Sequence, residues 1–444
     1  MLGGHQAVAV LMTPRALPVR RSSRTTKSVP SPGVLAKTNR EHRGKVPPPS
    51  GLWQSERAPG VRKTFSSFVK KRMTKTLLPI LLTLLALTAC SNSKTQEAAE
   101  PTPHPTRGVW LTNVDSDALF SKAGLEAAVE HCARLGFNTI YTVTWNRGYT
   151  LYPSAVMEKT FGVRIDPKLE GRDPLQELID LAHAKNIRVV AWFEFGFASS
   201  YKEADGGYLL RQKPHWAARD SAGQIVSKNG FQWMNAFDPE VQDFVLSLVK
   251  EVVEKYDVDG IQGDDRLPAL PSLAGYDSLT IAAYQTEHDG QRPPMNYKDT
   301  AWVDWRANRL NDFMGRMSRE LRALDSTLTL SFSPSIYPWS KFEYLQDWPT
   351  WVKNGWVDEI CPQVYRYDIE AYRSALNAIV NEQVAPEHHH LLAPGILLKV
   401  GDYIASDTLL RQMVEHNRSL GLEGEVFFFY EGLKRQEAFF EELY

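Results

Sequence analysis

Cysteine is scarce in this sequence, with three among 444 residues, and no apolar run is long enough for an ordinary membrane span. Three cysteines cannot build a disulfide-rich scaffold. Charge of a single sign is also lacking: 51 Lys+Arg face 52 Asp+Glu, a net of −1, which argues against a generic nucleic-acid binder. No Gly-rich nucleotide fingerprint opens a helix-like segment, which argues against a doubly wound dinucleotide fold. Cys132 and Cys361 fall in apolar segments without metal-ligand spacing and read as buried free thiols. Asp115 and Asp117 have a metal-like spacing but no third ligand, so helix capping or solvent exposure is expected of them. The run His388-His389-His390 reads as a solvated loop. Neither a metal nor an organic cofactor is expected. With 43% hydrophobic and 23% charged residues, the chain is globular in the main.

The charge balance hides two dissimilar pieces. Residues 1–72 carry 15 Lys/Arg and 2 Asp/Glu, a net of +13, and the remainder carries 36 basic against 50 acidic residues, a net of −14. The leader is rich in Arg, Ser and Pro, without sustained apolar periodicity, and is expected to be disordered. It reads as an upstream over-extension of the reading frame with Met73 as the start, or as a basic extension such as a transit peptide. Residues 73–89 place a short basic region before an apolar run that ends Leu87-Thr88-Ala89-Cys90-Ser91. This resembles a bacterial lipobox and implies cleavage before Cys90, with lipid on its thiol. Residues 90–106 form the polar tether such an anchor needs.

From residue 107 to the end, strand-like and helix-like runs alternate. Strands are predicted at 108–113, 138–145, 187–195, 260–265, 328–333, 359–365, 391–398 and 424–430. Helices are predicted at 125–135, 175–185, 241–256, 305–324, 344–354, 371–379, 408–420 and 435–443. Eight strands, each followed by a helix, predict an α/β fold, a (β/α)8 TIM barrel over 107–444. The long insertions at 146–173, 196–238 and 266–304 all follow strands, so they belong on the C-terminal face, where such barrels build their sites.

Alternation along the strands selects candidate acids. Val190, Trp192 and Glu194 share one face of the third strand; Gln262 and Asp264 point inward from the fourth, with Asp265 at its edge. Neighbouring strands lie about 4.8 Å apart, which lets Glu194 and Asp264 converge on one reacting bond. Two such acids divide proton-donor and nucleophile roles in glycoside hydrolysis. Asp265 substitutes for Asp264 if the strand phase is shifted, and Glu431 is a reserve acid. Candidate sugar contacts at strand ends and in the loops are Asn113, Trp145, Trp192, Asn235, Gln262, Gln363, Tyr365, Tyr430 and Glu431.

Five motifs in order carry a family resemblance. They are Arg107–Asn113, Leu135–Tyr141, Ala191–Phe193, Asp259–Asp265 and Pro362–Tyr365. Together they resemble the glycosyl hydrolase-like 10 family over nearly the whole span from Arg107. The resemblance implies a (β/α)8 barrel, hydrolysis of O-glycosidic bonds, and kinship with bacterial envelope lipoproteins that cleave peptidoglycan glycan strands stripped of their peptides. The sequence departs from the family pattern beside the acids: Gln262-Gly263 replaces a His and a bulky residue, and Arg266-Leu267 replaces an aromatic pair.

The expected protein is therefore a lipid-anchored glycoside hydrolase of the cell envelope, acting on a polysaccharide and bound to the membrane through Cys90. The competing expectation is a glycan-binding envelope lipoprotein without turnover. Intact mass of the mature protein tests the anchor: a diacylated N-terminus at Cys90 is expected, and a mature form that retains Arg20 would refute it.

Overall fold

The structure, a computed structural model, describes residues 105–444. The leader, the signal-like segment and Cys90 lie outside the described residues. Eight parallel strands form the centre: β1 (Arg107–Leu111), β2 (Thr139–Val143), β3 (Arg188–Phe193), β4 (Gly260–Gly263), β5 (Thr329–Phe332), β6 (Glu359–Ile360), β7 (Gly395–Leu397) and β8 (Glu425–Phe428). They pair in chain order from β1 to β6, β7 pairs with β8, and β8 returns to β1. Between β6 and β7 the parallel bridges Ile360↔Leu392 and Gln363↔Gly395 close the ring. The principal helices are α1 (Lys122–Arg134), α2 (Pro174–His183), α3 (Pro239–Lys255), α4 (Thr300–Leu324), α5 (Trp348–Lys353), α6 (Ile369–Ala378), α7 (Asp407–Ser419) and α8 (Glu437–Leu443). This is the (β/α)8 architecture expected from the alternation.

Local chemistry sets the element ends. Asp173 and Asp238 accept backbone N–H bonds at the starts of α2 and α3, and Pro174 and Pro239 follow them in the first helical turn, where a proline costs no hydrogen bond. Asp299 starts α4 five residues before the sequence expectation by capping the Trp302 N–H. The helix expected over 344–354 is divided, because Leu345 takes a left-handed conformation (φ 57°) after the short helix Trp339–Tyr344. The strand expected over 359–365 shortens to two residues. Pro362 has no N–H to donate, and pairing beyond it survives only as the bridge at Gln363.

The second strand also ends early, and this matters for the site. Trp145–Asn146 pairs with Tyr149–Thr150 in a hairpin whose two turn residues, Arg147 and Gly148, have φ of 51° and 79°. Two consecutive positive φ values make the tight turn whose twist suits a hairpin. Asn146 is thereby lifted off the barrel wall and over its C-terminal end.

Inside the barrel, Trp110 packs its ring 5.8 Å from Tyr141, 6.4 Å from Trp192, 6.4 Å from Tyr365 and 6.0 Å from Phe428. A polar thread runs through the same interior. The Trp110 indole N–H donates to Gln262 Oε1 (2.6 Å), Gln262 Nε2 donates to Ser331 Oγ (3.0 Å), and Ser331 donates to Glu359 Oε2 (2.7 Å). Tyr141 and Thr106 hydroxyls donate to the same carboxylate at 2.6 and 2.7 Å. Cys132 and Cys361 are free and buried, as expected.

Gln262 is thus a structural member of the barrel interior. Gln262→Leu removes the acceptor of the Trp110 N–H and the donor to Ser331 together, so stability should fall by about 1–3 kcal/mol, read as a lower thermal or urea midpoint. An unchanged midpoint would show that the thread contributes nothing.

Candidate active site

The register of β3 against β4 sets Trp192 opposite Gln262 and Phe193 opposite Gly263. Each chain then continues past its last paired residue, bringing Glu194 and Asp264 side by side at the C-terminal end. Arg266 joins them. Its Nη2 lies 2.8 Å from Asp264 Oδ2 and 3.4 Å from Glu194 Oε1, and its Nη1 lies 2.8 Å from Asp265 Oδ1. Because one nitrogen reaches both, Glu194 Oε1 and Asp264 Oδ2 are within about 6 Å of each other. The sequence pattern had brought out Glu194, Asp264 and Asp265 but had assigned Arg266 no role.

The remaining oxygens of the pair are held by neutral donors. Asp264 Oδ1 accepts from the Asp265 backbone N–H (2.7 Å), Gln363 Nε2 (2.8 Å) and Ser333 Oγ (3.3 Å). Glu194 Oε2 accepts from Asn146 Nδ2 (2.8 Å), the side chain lifted into place by the hairpin. The same amide nitrogen donates to Asn113 Oδ1 at the end of β1 (2.8 Å).

Burial raises Glu194 to about 7, against the lowering pull of Arg266 and with a further upward push from Asp265. Burial raises Asp264 well above the ordinary carboxylate range, reinforced by Asp265 and Glu194 and opposed by Arg266. Three carboxyl groups around one guanidinium cannot all ionise cheaply, so a proton is retained among them. Asp264 accepts from four donors, one of them charged and close. Glu194 has the Asn146 amide and the Thr112 hydroxyl as neutral donors and a more distant guanidinium. Burial pushes both acids up, and donor geometry decides between them: a single charge on the pair is better solvated at Asp264 than at Glu194.

A cleft of about 620 Å³ opens at Asn113, and Glu194, Asp264, Asp265 and Arg266 are not among the residues lining it. Asn113, Asp115, Phe120, Lys168, Tyr430 and Glu431 are among the residues lining it. Asn113 links this cleft to Glu194 through the shared Asn146 amide. Glu431 accepts from Ser116 Oγ (2.9 Å) and pairs with Lys434 (2.9 Å), on the cleft wall rather than beside the acid pair. Asp115 and Asp117 also face this cleft, and the Asp117 side chain caps no helix.

Several residues expected to touch sugar occupy other places. Trp145 is fully buried, donates to the Gly196 carbonyl (3.0 Å) and packs on Phe244. Asn235 is enclosed beneath the insertion, where its Oδ1 accepts from Phe237 N (3.1 Å) and shapes the turn leading to α3. Gln262 and Tyr365 belong to the barrel interior around Trp110. Trp192 packs there too, and its indole N–H finds no acceptor among the described residues. Sequence alternation gives the face a side chain points to, but not the depth of the layer above it. Gln363 touches Asp264, while Asn113, Tyr430 and Glu431 line the cleft. Asn146 was missed because the hairpin that aims it is visible in the sequence only as Arg147-Gly148.

The raised Glu194 has a consequence for stability. With its native value near 7 and its ordinary value of 4.5, the folded state binds more protons than the unfolded state between those limits. Glu194 therefore favours the fold at low pH and loses that contribution as pH rises through about 7. Urea unfolding at pH 5 and pH 8 should show Glu194→Gln gaining on the parent protein as pH rises. An identical pH dependence in both proteins would contradict the raised value.

Comparison with known proteins agrees with this architecture. Glycosyl hydrolase DigH of Escherichia coli strain K12 is 26% identical over 372 residues, covering 66% of this chain and 78% of that protein. Glycosyl hydrolase YngK of Bacillus subtilis strain 168 is 24% identical over 291 residues, covering 58% of this chain and 54% of the relative. Among solved structures, the PgaB (BpsB) glycoside hydrolase domain from Bordetella bronchiseptica superposes with a TM-score of 0.56 at 14% identity, covering 76% of this chain and 97% of that one. Alpha-L-fucosidase isoenzyme 2 from Paenibacillus thiaminolyticus gives 0.54 at 19% identity, over 76% of this chain and 48% of the other. At these identities the two structures speak to the fold alone. Residues 105–404, most of the chain, match the family described as Glycosyl hydrolase-like 10, and the protein belongs to that family.

Proposed function

We propose that the protein is a glycoside hydrolase of the cell envelope that cleaves O-glycosidic bonds of a polysaccharide, with peptidoglycan glycan strands as its substrate. The observation that carries this reading is the pairing of Glu194 and Asp264 at the ends of adjacent strands, their facing oxygens within about 6 Å through one shared guanidinium nitrogen. The reading takes the retaining form, for which about 5–5.5 Å between carboxyl groups is usual, against about 6.5–9.5 Å for inversion. Asp264 Oδ2 attacks the anomeric carbon as the bond to the leaving oxygen breaks, and Glu194 gives its proton to that oxygen. Water, losing a proton to Glu194, then displaces Asp264 and restores both groups. The cleft beside Asn113 and Glu431 receives the neighbouring sugars, with the partly exposed Phe120 ring available to pack against them. Within this reading the chain is held at the membrane by lipid on Cys90.

One observation favours a second reading, a glycan-binding envelope protein without turnover. The facing oxygens of both acids already carry the Arg266 guanidinium, so a sugar must approach acids that are partly engaged.

Incubation with denuded peptidoglycan and, separately, with storage or capsular glucans distinguishes the two readings. New reducing ends identified by mass spectrometry are expected from the peptidoglycan strands. Asp264→Asn and Glu194→Gln should each lower turnover by about 10²-fold or more while leaving the fold intact. Activity should decline as pH rises through about 7, as Glu194 gives up the proton it must donate. Tight glycan binding with no reducing ends from any substrate would establish the binder instead.

A further inference from the structure

Arg266 is the only cation within ion-pair distance of the acid pair among the described residues, and its side chain is only 13% exposed. All three nitrogens of its guanidinium are committed. Nε donates to the Glu194 backbone carbonyl (2.8 Å), Nη2 serves Asp264 and Glu194, and Nη1 pairs with Asp265. The Phe231 ring, from the insertion strand Phe231–Trp233, lies 4.8 Å from the guanidinium carbon and covers it. The Arg266 main chain is fixed as well, since its carbonyl accepts from Phe197 N (3.0 Å). A Cβ at Gly196 would collide with that carbonyl, and Gly196 has a φ of 49°, so glycine permits this close approach.

We propose that Arg266 is the positioning residue of the acid pair: its guanidinium fork turns Glu194 Oε1 and Asp264 Oδ2 toward a common point, and its charge, nearer to Asp264, keeps the proton of the pair on Glu194. This rests on the acid pair proposed above. A lysine cannot do the same, because an ammonium is a point charge at the end of a flexible stem and lacks the planar fork that reaches three carboxyl groups and a carbonyl at once. Every other group in contact with the pair either repels it or is neutral and local. Asp265 adds negative charge, and Asn146, Thr112, Gln363 and Ser333 are neutral donors. Tyr365 lies near Asp264 and Tyr344 near Arg266, each held in its phenol form by burial. Arg147, at the exposed hairpin tip, acts on Glu194 only from a distance and makes no ion pair with it.

The test compares Arg266→Met and Arg266→Lys with the parent protein in two measurements. In turnover of denuded peptidoglycan, the Met variant should lose about 10²-fold in kcat, as expected for misplaced reacting groups. Both limbs of its pH profile should move alkaline by about 1–3 units, because removing a nearby cation raises both acids. The Lys variant should return the limbs toward their original pH while kcat stays low, which separates charge from positioning. Activity falling with unmoved limbs in both variants would reduce Arg266 to a structural residue and overturn the proposal. The second measurement needs no turnover and so stands apart from the functional reading. In urea unfolding, the Met variant should lose much more stability at pH 8 than at pH 5, with the Lys variant between it and the parent. Equal losses at the two pH values would overturn the proposal even if the parent protein cleaves glycan, and the expected asymmetry would uphold it even if no glycan is cleaved.

Discussion

Gathering three carboxyl groups at the end of a protein barrel, out of bulk water, is costly unless a cation joins them. Here the joining cation is Arg266. The cost of desolvating each acid is large, and Coulomb attraction offsets it only where geometry is good and the remaining lone pairs are satisfied. Much of the C-terminal face meets that requirement. The hairpin after β2 delivers Asn146 to Glu194, and the ends of β5 and β6 deliver Ser333 and Gln363 to Asp264. Gln346, just beyond the helix Trp339–Tyr344, holds the Asp264 carbonyl at 3.0 Å. The insertion after β3 supplies the Phe231 ring over the guanidinium. Five segments distant in sequence are thus arranged around one charged side chain.

The barrel beneath follows a similar rule with neutral groups. Glu359 is buried near the opposite end of the strands and accepts hydroxyl bonds from Thr106, Tyr141 and Ser331, with Gln262 and Trp110 continuing the chain of donors upward. The indole of Trp110 fills the space among Tyr141, Trp192, Tyr365 and Phe428. Gln262 is an internal strut below the acids. Gln262 thus acts on the barrel's packing, whereas Arg266 acts on the charge of the site.

The parts of this structure that were legible in the sequence are those governed by short repeats. Period-two alternation predicted that Trp192 and Glu194 share a face, and the pairing of Trp192 with Gln262 carries that alternation on to Glu194 and Asp264. The long helices followed from their apolar stripes, and their starts shifted where Asp299 or a proline set the first turn. Strand length was less legible. Pro362 and the Arg147-Gly148 turn end pairing through backbone constraints that an apolar run does not register. Depth was least legible: Trp145 and Asn235 sit near strand ends and insertions, as a sugar contact would, yet loop packing covers them completely.

The sequence alone therefore determined the alternation of strands and helices, the end of the barrel on which the long loops gather, and the convergence of two acids from neighbouring strands. These are consequences of backbone periodicity, which each segment carries locally. Only the tertiary structure decided which donors each carboxyl oxygen meets, which aromatic rings are enclosed, and that Arg266 stands among all three acids. Those facts depend on the distance between side chains brought together by separate loops. Charge interactions depend steeply on such distances and on burial, and neither is encoded in any one stretch of chain.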